Sequence, residues 1–122
     1  MFTATMWCDI QLGDVASLKA KRSVVRPIVA ELRRRYDVAA AEVGAQELYR
    51  RTEIGVAAVA ESAGQVGDVL DECERFVAGR PEIVLLGVRR QLLSHTDDLP
   101  RHTGDLPAGT DDPRTREEAS RG

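Results

Sequence analysis

The chain has 122 residues, 43% of them apolar and 30% charged, with a formal net charge of −3. That composition fits one soluble globular domain with a real core, and excludes both a chain disordered throughout and a helical membrane protein. Residues 1–93 hold 13 Lys+Arg and 13 Asp+Glu, whereas residues 94–122 hold 4 and 7, so the negative balance belongs to the C-terminal segment.

Two cysteines, Cys8 and Cys73, show no redox or metal-ligand spacing, which fits a reduced, cytoplasmic setting. No basic region followed by a long apolar run opens the chain, and no stretch approaches ~18 apolar residues. Neither a leader nor a membrane partner is expected.

Residues 2–12 alternate strictly: Phe2, Ala4, Met6, Cys8, Ile10 and Leu12 face one way, and Thr3, Thr5, Trp7, Asp9 and Gln11 the other. This is a half-buried strand, with Cys8 as an inert core residue. Gly13-Asp14 turns the chain toward Ser17, a helix cap.

Ser17–Tyr36 carries a helical stripe at Val25, Ile28, Val29, Leu32 and Tyr36. Lys19, Arg22, Arg26 and Arg33 share a narrow sector beside it, at roughly 100° per residue. Pro27 removes a backbone donor. Regular helix therefore begins near Ser23 after a looser opening turn, or runs from Leu18 and kinks at Pro27. Lys21 falls in the apolar sector of a continuous helix, which favours the looser opening.

A second strand is predicted over Asp37–Val43, then a loop, GAQELYRR, then a third strand over Thr52–Glu61. Ser62 and Gln65 form a capping box for a second helix, whose stripe is Val66, Val69, Leu70, Cys73 and Val77. Gly79 and Pro81 end it. Its Asp68, Asp71, Glu72 and Glu74 make it acidic where the first helix is basic. A last strand spans Glu82–Leu93. Residues 94–122 are rich in Pro, Gly, Asp and Thr, and are expected to form a disordered acidic tail.

The order β-α-β-β-α-β predicts an α+β, ferredoxin-like domain over residues 1–93: a four-stranded antiparallel sheet with two helices on one face. Right-handed crossovers place strands one and three in the centre. The other sheet face stays open and carries Trp7, Gly55, Ala57 and Val59.

Two blocks carry a resemblance. SLKAKRSVVRPIVAELRRRYDVAAAEV, followed by QELYRRTEIGVAAVAES, resembles the YlxP-like family, a bacterial domain of unknown function. The matching positions are Ser17, Leu18, Lys19, Lys21, Arg22 and Ser23, then Ala41, Glu42, Val43, Gln46, Glu47, Leu48, Tyr49, Arg51, Ile54 and Gly55. The resemblance covers about residues 2–93 and implies a ferredoxin-like fold. It also implies, through the placement of family genes near translation-factor and ribosome-maturation genes, a role close to RNA or the ribosome. It brings no catalytic residue. Ala20 stands where the family often has Glu, Tyr49 where Trp is common, and Pro27 interrupts the helix.

These residues bear on three classes of function. An RNA or ribosomal-particle binder would use Lys19, Lys21, Arg22, Arg26 and Arg33 with Arg50 and Arg51 on phosphates, and Tyr49 against a base. A homodimeric interaction module would use Trp7, Gly55, Ala57 and Val59 on the open sheet, or set an acidic helix against a basic one. An enzyme is not expected: residues 1–93 contain no His, no Gly-rich phosphate loop and no Cys–His pair. Asp9 and Glu42, the acids inside strands, are expected in ion pairs with Arg51 or Arg90. No cofactor and no metal is expected.

Overall fold

The computed structural model describes residues 1–95. The chain runs β1 (Phe2–Leu12), α1 (Leu18–Tyr36), β2 (Ala39–Gly44), β3 (Arg51–Ala60), α2 (Ala63–Ala78) and β4 (Ile83–Ser94). The strands form one antiparallel sheet in the order β2-β3-β1-β4, so β3 and β1 are central as the crossover rule requires. This is the ferredoxin-like α+β arrangement. The expected acidic tail lies, apart from Ser94 and His95, outside the described residues.

The alternation of β1 sets the core. Ala4, Met6, Cys8, Ile10 and Leu12 are buried, and Ile54, Val56 and Ala58 of β3 extend the same face. Against it pack Val25, Ile28, Val29 and Leu32 of α1, and Val66, Leu70, Cys73 and Val77 of α2. Burial of each large side chain contributes about 1.5–3 kcal/mol. Tyr36 and Phe76 close the core edge-to-face, with ring centroids 5.9 Å apart.

The first helix differs from the looser-opening expectation. It is continuous from Leu18, and Ser17 Oγ accepts from the Ala20 N–H at 3.0 Å. Pro27 sits inside it on the exposed side. The Ser23 carbonyl that loses its partner is on that same exposed side, where water can replace the bond. The second helix follows its sequence signals: the Ser62–Gln65 capping box is complete in both directions. The second strand starts later than predicted, because Asp37 takes the left-handed conformation (φ 55°) and ends α1 there.

Two register shifts shape the sheet. Asp9 faces Gly87 while Ile10 faces Leu85, so Leu86 is an extra residue in β4. Glu42 faces Ile54 while Gly44 faces Glu53, so Val43 is an extra residue in β2. Val43 leans over Gly55: a Cβ on Gly55 would stand 3.1 Å from Val43 Cγ1, so a side chain at 55 would displace it.

Candidate functional site

Lys21 is the residue the structure moves. It was expected in the basic surface set, but it is 2% exposed and leaves that set. Its aliphatic stem crosses the core edge. Its Nζ lies 3.0 Å from Glu42 Oε2 and donates to the Ala45 carbonyl at 2.6 Å. Glu42 Oε2 also accepts from Thr52 Oγ1 at 2.7 Å, and Thr52 is buried. A continuous helix must point Lys21 inward, and this network supplies the compensation that makes the position tolerable. Glu42 thus pairs with Lys21 rather than with Arg51 or Arg90.

The same network fixes the β2–β3 loop. Ala45 is left-handed (φ 57°), and its carbonyl also accepts from the Leu48 N–H at 3.1 Å. Lys21 therefore holds the first turn of the loop from beneath. At the far end, Arg50 O accepts from the Leu12 N–H at 2.8 Å, and Arg50 pairs with Asp14 at 3.1 Å. Residues Glu47–Arg51 line a shallow depression together with Val15 and Ala16, which places Tyr49 beside the start of α1. Tyr49 is exposed.

The arginines of the loop are engaged. Arg51 grips both oxygens of Asp9, at 2.6 and 2.8 Å, as one of the two pairings expected for Asp9. Arg90, the other, bridges β4 to α2 through Asp71 and Glu74, each at 2.9 Å. By contrast, Lys19, Arg22 and Arg26 are exposed and make no ion pair among the described residues. Arg33, on the same stripe, donates through Nε to the Ala40 carbonyl of β2 at 2.9 Å. The stripe therefore follows the flank of α1 next to the β2 edge.

The open sheet face bears the predicted residues. Trp7 is half-buried; its Nε1 donates to Glu53 Oε1 at 2.9 Å, and the Arg89 guanidinium lies 4.7 Å from its ring centroid. Beside it lie Gly55 and Ala57, with Val59 69% exposed. Sequence reasoning missed the contribution of β4. Val84 opposite Gln11 and Leu93 opposite Thr3 are both exposed on this face. The run EIVLLGVRRQLL is apolar on both faces and hides its alternation, and the extra residue Leu86 shifts it.

Cys8 and Cys73 are free, buried thiols. Burial is the main cause that pushes both up to about 11, with Glu74 acting on Cys8 and Glu72 on Cys73 in the same direction. Neither is a ready nucleophile. Among the described residues, no group of three or more His, Cys, Asp or Glu could hold a metal ion, and no helix is long and apolar enough to cross a membrane.

Fold and surfaces define a small α+β domain with many paired charges, an exposed basic stripe whose Lys19, Arg22 and Arg26 make no ion pair among the described residues, and an open sheet face. The chain belongs to the family described as "Protein of unknown function (DUF503)", whose model matches residues 3–90. It is similar to "Uncharacterized protein YlxP" of Bacillus subtilis (strain 168), 34% identical over 76 residues, which are 62% of this chain and 83% of the relative.

Proposed function

We propose that this protein is a non-catalytic, cytoplasmic RNA-binding accessory factor that works on ribosomal or ribosome-associated RNA. One observation carries this reading. Lys19, Arg22 and Arg26 stand exposed on one flank of α1 with no ion pair among the described residues, while the loop arginines and Arg90 are spent on carboxylates. Three cations along one helix flank can each meet a phosphate of a nucleic-acid backbone, and Tyr49 on the adjacent anchored loop offers a stacking surface for an unpaired base. Arg33 adds positive potential at the end of the stripe. Lys21 has no part in contact. The sheet face lacks the aromatic pair of a sheet-type RNA reader, so binding is electrostatic and tolerant of sequence.

The test is fluorescence anisotropy with a labelled single-stranded RNA of about 20 nucleotides across a salt series. Three phosphate contacts give a slope of log K against log salt of about −2. The triple variant Lys19→Ala, Arg22→Ala, Arg26→Ala should lose at least about tenfold in affinity at low salt, and Arg50→Ala less than about twofold. Equal binding by the triple variant, or none by the parent at about 50 mM salt, overturns the reading.

A further inference from the structure

We infer that the open sheet face is covered by the same face of a second copy of this chain, related by a two-fold axis parallel to β1 and β3. The row across the middle of the face carries the inference. In register, Ala41 of β2 faces Gly55 of β3, Gly55 faces Trp7 of β1, and Trp7 faces Arg89 of β4. Half of that row is tall, an indole with a guanidinium on it; the other half is Ala41 and Gly55, with the Val43 side chain leaning over Gly55. The next row repeats the asymmetry, with Ala39 and Ala57 on one side and Thr5 and Gln91 on the other.

This half forms an open trough lined by Ala39, Ala41, Gly55 and Ala57, with Val43 leaning into it over Gly55. A two-fold along the sheet midline keeps each row at its own height and reverses its order. Trp7 of one copy then meets the Val43 side chain above Gly55 of the other, and Arg89 stands over Ala41, twice by symmetry. A face with most of its relief on one side fits itself in this way, as an isologous contact requires.

Charge favours the same occupant. Arg89 makes no ion pair among the described residues, and Glu53 uses one oxygen on Trp7 Nε1 and leaves the other uncommitted. The reversed rows bring Arg89 of each copy within a side chain's length of Glu53 of the other. Val59, Val84 and Leu93 rim the contact and Val43 lies within it; each is more than half exposed in the single chain and would be covered. The basic stripe lies in the helical layer and stays on the outside of the pair, so this inference stands independently of the RNA reading.

Sedimentation equilibrium of the full chain tests it, over a concentration series from about 1 to 500 µM. The expected result is a rise from the monomer mass to twice that mass. Emission of Trp7, the one tryptophan in the chain, should shift to the blue over the same range. Arg89→Glu should weaken self-association at least about tenfold, as should Ala57→Arg, which fills the trough. Joining Arg89→Glu with Glu53→Arg should restore it, because each reversed charge again meets its opposite across the two-fold. Circular dichroism confirms that the variants fold. Monomer mass at every concentration overturns the inference, and so does a dimer that Arg89→Glu and Ala57→Arg leave unchanged.

Discussion

Lys21 Nζ and Glu42 Oε2 are 3.0 Å apart beneath the β2–β3 loop, joining the second turn of α1 to β2. Both residues belong to the blocks that carry the family resemblance, and both are engaged in contacts that hold α1, β2 and the loop together. Replacing Lys21 by Met keeps the stem and removes the ammonium. Glu42 then loses its cation, and the Ala45 carbonyl loses its shortest bond. Glu42 keeps some water access, so the loss is expected near the lower end of a broken buried pair, about 2–4 kcal/mol. Thermal unfolding should fall by roughly 10–20 °C. Hydrogen exchange over residues 45–50 should quicken. Pairing Lys21→Met with Glu42→Gln should recover part of the loss, and an unchanged melting temperature in the single variant would show that the network carries no stability.

Pro27 occupies an exposed position inside α1, where a proline costs about 3 kcal/mol relative to alanine. Pro27→Ala restores the donor for the Ser23 carbonyl without touching the core. It should raise stability by about 1–3 kcal/mol in urea denaturation, with the m-value unchanged.

The buried thiols predict a stability that depends on alkaline pH. Both have folded values raised to about 11 from an ordinary 9.0. The unfolded chain therefore sheds these protons first as pH rises. The contribution of the thiols is complete below pH 9.0 and is lost as pH climbs toward about 11. Urea midpoints across that window should fall, and should fall less in Cys8→Ala, Cys73→Ala once its own stability is the baseline. At pH about 8, an alkylating reagent should modify neither thiol until denaturant is added.

Much of the fold was legible because its signals are local. The unbroken alternation of Phe2–Leu12 announces β1 and its core face, and Ser62 with Gln65 announces α2. Lys21 was not legible: its inward direction follows from the helix period, but its partner lies 21 positions away in a short alanine-rich strand. Sequence alone favoured a loosened helix over a buried charge. Val84 and Leu93 were hidden by a β4 run that is apolar on both faces. The basic stripe could be read as a stripe, yet only the ion-pair geometry separates Lys19, Arg22 and Arg26 from Arg50 and Arg51. Pairing is a property of distances between elements, and no spacing within one element encodes it.

On the proposed function, the flank of α1, and not the sheet, meets RNA. The most direct measurement is an NMR titration of the 15N-labelled chain with a short single-stranded RNA, following every amide. The predicted result is a contiguous set of shifts at Lys19, Arg22, Arg26 and Tyr49, fading as salt rises, with Trp7, Gly55 and Ala57 unmoved. Shifts centred on Trp7, Gly55 and Ala57, or no shifts at low salt, would contradict it.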